Sequence, residues 1–119
     1  MNREELSERF LEFAANVIRF LEKTKHGIAI RQISSQLIRS ATSAGANYQE
    51  ACSGESRADF IHKLQISLKE LRETLYWLKL LNKSNYANSD EPVNECNELI
   101  SIIVKSVVTA KNNKSAAVE

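Results

Sequence analysis

Three glycines and a single proline in 119 residues leave this chain very few places to reverse direction sharply. A chain so short of turn residues favours a few long helices over many short strands joined by tight turns. Its length is that of one domain, enough to enclose a core and too short for two. With 43% hydrophobic and 26% charged residues, the composition is that of an ordinary soluble globular protein.

Between the few breaks, apolar residues recur at steps of three and four, the period of a one-sided helix. Leu6, Phe10, Phe13, Val17 and Leu21 mark a first helix from about Arg3 to Lys23. Glu4, Glu5 and Glu8 near its start and Lys23 and Lys25 at its end complement the helix dipole. Gly27 is the natural break. A second helix, from Ile28 to about Ala51, has the stripe Ile30, Ile33, Leu37, Ala41, Ala44 and Tyr48. Ser53-Gly54-Glu55 closes it, and Ser56 with Asp59 three residues later reads as the N-cap of a third. That helix runs to about Asn82, with Phe60, Leu64, Leu68, Leu71, Leu75 and Leu78 as its stripe. After a polar connection, Pro92 stands in the first turn of a fourth helix ending near Ala110. Its residues Leu99, Ile102, Ile103, Val107 and Ala110 form the stripe. The run Ile102-Ile103-Val104 would suit a strand, but a lone strand would have nothing to pair with.

The expected architecture is all-α: an antiparallel up-down-up-down four-helix bundle over residues 1–111, with 112–119 a polar tail expected to fray.

Two helices carry a second face of interest. On helix two, Ser35, Ser40, Ser43, Ala46 and Asn47 are short, and only Arg39 is long and charged between Gln32 and Gln49. Short side chains permit close approach of another backbone, and Gly45 inside this helix points to a packing reason. On helix three, Ile66, Trp77 and Leu80 form an apolar cluster with Glu70 and Glu73 between them. A carboxylate on an apolar face must find a cation or donors, so Glu70 and Glu73 are expected to pair with Arg39 of helix two or with the backbone-facing hydroxyls of that helix. These residues, Arg39, Ser40, Ser43, Asn47, Ile66, Glu70, Glu73 and Trp77, are the candidates for interhelical pairing or for an interface between copies.

Catalytic chemistry finds no foothold. His26 and His62 sit in different elements, and neither H-E-x-x-H nor Glu-x-x-His occurs. There is no G-x-S-x-G, no phosphate-binding glycine loop and no dinucleotide fingerprint. Glu70 and Glu73 lack the histidine that a bundle metal site usually adds. No catalytic residue, cofactor or metal is expected. Cys52 and Cys96 are isolated and are expected to be reduced, half-buried thiols. The N-terminus is charged from the start and no apolar run approaches the roughly 20 residues of a membrane span, so a cytoplasmic, membrane-free protein is expected.

The net charge is +1, yet segment 27–83 holds eight Lys/Arg against five Asp/Glu. Arg31, Arg57, Lys63, Lys69, Arg72 and Lys79 are the candidate nucleic-acid contacts. No RRM, KH, zinc-finger or helix-turn-helix signature accompanies them, so binding would be phosphate-directed and salt-sensitive.

The run Gln36-Leu37-Ile38-Arg39-Ser40-Ala41-Thr42-Ser43-Ala44-Gly45-Ala46-Asn47-Tyr48-Gln49-Glu50-Ala51 resembles the helix-two signature of the bacterial four-helix bundle proteins, also called 23S rRNA intervening-sequence proteins. Ala58-Asp59-Phe60-Ile61-His62-Lys63-Leu64, with Ser67-Leu68-Lys69-Glu70 and Glu73-Thr74-Leu75-Tyr76-Trp77-Leu78, is similar to the helix-three signature. The resemblance covers nearly the whole chain. It implies a homopentamer of bundles around a central axis. It also implies kinship with the accessory protein of diversity-generating retroelements, which binds a reverse transcriptase and nucleic acid. The expected function is a non-enzymatic homo-oligomeric scaffold or binding module for RNA or an RNA-associated protein. The alternative is an accessory protein that docks a reverse transcriptase.

Overall fold

The computed structural model describes the backbone of residues 1–118 and the side chains of residues 1–113. Four helices follow one another: α1 (Arg3–Glu22), α2 (Ile28–Cys52), α3 (Arg57–Lys83) and α4 (Asp90–Val118). Each packs against its neighbours in the chain, and α1 also meets α4. The result is a square up-down-up-down bundle, in which the α1–α2 side lies opposite the α3–α4 side.

Local signals fix where the helices begin and end. The Asn2 side chain accepts from the Glu5 backbone N–H at 2.8 Å and caps α1. Ser56 does the same for Asp59 at 3.0 Å, as its spacing predicts. Gly27 opens α2 at φ +155°, a backbone that side-chain-bearing residues rarely adopt. Asn85, at φ +64°, turns the chain out of α3 in the left-handed region that asparagine tolerates. Helix α4 continues past the end expected near Ala110, since no Gly or Pro interrupts it before Val118. Of the tail expected to fray, residue 119 and the side chains of 114–118 lie outside the described residues.

Phe10, Phe13, Val17, Leu37, Leu64, Leu71, Leu78, Leu99 and Ile103 form the centre of the core. Each such side chain contributes about 1.5–3 kcal/mol by leaving water. Phe10 stacks on Tyr48 with ring centroids 5.2 Å apart, which locks α1 to α2. Gly45 explains itself here. A Cβ at that position would stand 3.2 Å from the Phe10 Cβ, so the glycine lets α1 come in close.

The buried arc of α3 departs from its expected stripe. Phe60, Leu68 and Leu75 are half-buried, while Ile61, Ser67, Glu70, Thr74 and Leu81 are buried instead. The reason is that α3 packs on both α2 and α4, and its α2 side uses small polar residues. Cys96 is fully buried rather than half-buried; its Sγ donates to the Leu71 carbonyl at 3.2 Å, and burial pushes the thiol up to about 12. Cys52 is half-buried, and both cysteines are free.

Gly45→Leu should destabilise the bundle by about 1–3 kcal/mol, the usual cost of overpacking a fitted contact. A fall in the urea midpoint at unchanged slope checks it.

Candidate functional site

The seam between α2 and α3 is built from short side chains. The Ser67 hydroxyl donates to the Ala44 carbonyl of the facing helix at 2.8 Å. The Thr74 hydroxyl donates to Ser40 Oγ, also at 2.8 Å. Ser40, Ser67 and Thr74 are fully buried, and among the described residues no buried side-chain polar atom lacks a partner. Bonds of this kind hold two backbones close, because the groups joining them are short.

At the outer edge of this seam a charged cluster forms. Arg39 of α2 donates from Nη1 to Glu70 Oε2 at 3.0 Å and from Nη2 to Glu73 Oε1. Trp77 Nε1 donates to the same Glu73 oxygen at 3.4 Å. Glu70 is buried, whereas Glu73 and Trp77 are half-buried. The Arg39 guanidinium, helped by Trp77, holds the Glu73 carboxyl below its ordinary range against the opposing effect of burial. Glu73 in turn raises Arg39.

The sequence candidates thus separate into groups. Arg39, Glu70, Glu73 and Trp77 come together in one interhelical cluster. Ser40 lies inside the α2–α3 seam. Ser43 and Asn47 are half-buried and bond each other along α2, with Asn47 Nδ2 donating to the Ser43 carbonyl at 2.9 Å. Ile66 is half-buried and stands apart from the hydrophobic core cluster.

The basic candidates also divide. Lys63 points to the α2 side and lies 3.8 Å from Glu50. Arg31 lies in the first turn of α2 and Arg57 begins α3, and both are exposed. Lys69, Arg72 and Lys79 share one line. The positions 65, 69, 72, 76, 79 and 83, at alternating steps of four and three, are Gln65, Lys69, Arg72, Tyr76, Lys79 and Lys83, and all are exposed. Steps of that kind run straight along a helix, so Lys69 and Lys83 stand about 21 Å apart. Among the described residues, none of these four cations makes an ion pair. Glu73, the nearest carboxylate in the helix, is already held by Arg39.

Tyr76 and Lys83 complete this line; Lys83 belongs to the basic bias of segment 27–83, whereas Tyr76 was not among the sequence candidates. Their signal was the same alternation of four and three, read on the polar side of α3 instead of the apolar one.

Among the described residues, no three His, Cys, Asp or Glu side chains gather as a metal site. No helix in them is long and apolar enough to cross a membrane. A groove of about 830 Å³ between α1 and α4 mixes Arg9, Arg19 and Lys23 with Glu12, Glu95 and Glu98. Nothing in it sets a nucleophile beside a base.

A family model described as 23S rRNA-intervening sequence protein matches residues 4–107. The chain is also similar to a crystal structure from Bacteroides thetaiotaomicron, a protein with unknown function from the S23 ribosomal protein family. The two are 35% identical with a TM-score of 0.77, over 86% of this chain and 97% of that one. A search of curated proteins finds no match.

The Arg39–Glu73 pair has a definite pH signature. Because the folded carboxyl titrates below its unfolded value near 4.3, its stabilisation is present above that pH. It is lost as pH falls through the lower, folded value. The pair is partly exposed and is worth under about 1 kcal/mol. The stability difference between the wild type and Glu73→Gln should therefore shrink as pH drops from neutral towards about 3, read from urea midpoints.

Proposed function

The chain belongs to the 23S rRNA-intervening sequence protein family, and on that premise we propose that it is a non-catalytic, cytoplasmic, homo-oligomeric module that binds RNA along α3. The observation that carries this reading is the exposed line Lys69, Arg72, Tyr76, Lys79 and Lys83. A phosphate backbone is the partner chemistry that four unpaired cations in a row fit best. Arg31, Arg57 and Lys63 lie off this line and have no part in it.

Oligomer formation is supported by exposed apolar side chains on two opposite sides of the bundle. Ile18 is nine residues from Arg9, two and a half turns, which puts it on the α1 side facing away from α4. With Leu11 and with Ile38 of α2, it leaves apolar surface along the α1–α2 side. By the same spacing, Val104 lies opposite Glu95 on α4, and Val108 follows one turn later. Different patches on opposite sides favour head-to-tail contact between copies, which closes into a ring when the rotation permits. A pentamer is the stoichiometry that the family resemblance implies. Docking of a reverse transcriptase rests on the resemblance alone, with no residue of this chain to carry it.

Light scattering at micromolar concentration should find several protomers per particle, and Leu11→Glu or Val108→Glu should reduce that number without loss of helicity. A wild-type monomer overturns the oligomer. RNA affinity should fall steeply as salt rises, and an absence of RNA binding at low salt overturns the partner.

A further inference from the structure

We infer that the α3 line holds single-stranded RNA, with Tyr76 as the platform on which one base stacks. The inference rests on the RNA reading above and specifies the form of RNA and the residue that grips it. Tyr76 is 61% exposed and sits among cations, with no exposed apolar neighbour on its line to pack against. Along the helix axis, Lys69 and Arg72 lie about 10 and 6 Å to one side of it, and Lys79 and Lys83 about 4.5 and 10 Å to the other. A stacked base at the centre would thus have phosphate partners on both flanks. This is the usual makeup of a single-strand site: a cationic track interleaved with an aromatic ring.

The ring is also braced. Tyr76 meets Trp77 edge-to-face, with centroids 5.1 Å apart and planes at 78°. Trp77 is tied to Glu73, and Glu73 to Arg39 on the next helix. The platform is therefore held by a chain of contacts reaching α2, which limits the ordering required when a base arrives.

Duplex RNA fits this surface poorly. Its bases are already stacked on one another, and its major groove is too deep and narrow for side chains on a helix to read. A ring on the convex surface of α3 reaches a base face only when the strand is open.

The test is binding of the full-length protein to a short labelled single-stranded RNA and to the same strand annealed to its complement, by fluorescence anisotropy across a salt series. The single strand should bind at least about tenfold more tightly. Tyr76→Ala should weaken single-strand binding by about five- to a hundredfold, the range of one lost stacked base. Its salt slope should stay near −3, at about −0.7 for each of four phosphates. Tyr76→Phe should keep the affinity. Tyr76→Leu, which keeps an apolar contact on Trp77, should lose it, and a circular dichroism spectrum confirms that each variant is folded. Lys79→Gln should instead lower the slope by about 0.7. Equal binding of duplex and single strand, or wild-type affinity in folded Tyr76→Ala and Tyr76→Leu, overturns the platform and leaves the RNA reading intact. If neither RNA binds at low salt, both fall together.

Discussion

The close approach of α2 and α3 governs the rest of the molecule. A hydroxyl on Ser67 reaches the backbone carbonyl of Ala44, and two further hydroxyls, on Ser40 and Thr74, meet between the same helices. Such bonds are expensive to break from one side, because a buried donor or acceptor left alone costs about 1–3 kcal/mol. They also fix the rotation of α3 about its own axis. With Ser67 and Thr74 turned inward, Arg39 is brought within reach of Glu70 and Glu73 at the rim. The opposite arc of the helix is left to solvent, and the cationic line lies on it.

The rotation of α3 is also where sequence reasoning ran short. Helix α1 was fully legible: Leu6, Phe10, Phe13 and Val17 are all buried, and only Leu21 proves half-buried. Gly45 could be flagged in the sequence, but Phe10 as its cause could not, since that pairing depends on how two helices register. On α3 a search for apolar residues selected Phe60, Leu68 and Leu75, which lie at the edge of the core. It passed over Ser67 and Thr74, which are fully enclosed. A serine buried by a hydrogen bond looks like a surface serine until its partner is known. The same gap hid the cationic line. Lys63 and Lys69 look equivalent in the sequence, yet one turns towards Glu50 and the other joins the exposed line.

A net charge of +1 describes this surface badly. Helix α3 carries six basic and three acidic residues. Acidic residues gather elsewhere, with Glu4, Glu5, Glu8, Glu12 and Glu22 on α1 and Asp90, Glu91, Glu95 and Glu98 on α4. The carboxylates of α1 lie across the bundle from α3, beyond a Debye length of about 8 Å at physiological salt, whereas α4 packs directly on α3. An anion approaching α3 is therefore little affected by the carboxylates of α1. A near-neutral protein can present a local cationic face in this way while avoiding the indiscriminate stickiness of a polycation.

The seam between α1 and α4 is of another kind. It is the thinnest contact in the bundle, fastened by the two-pronged bond of Arg9 to Glu95, at 2.7 Å for each prong, with Glu98 at 3.3 Å. These partners are 86 residues apart in the chain, whereas every other helix pair is joined by a short connection. The consequence is kinetic. Three helical hairpins can form from neighbours in the chain at small entropic cost, and one distant closure remains. Low sequence separation favours the three hairpins as early contacts and leaves the fourth edge as the closure of greatest entropic cost.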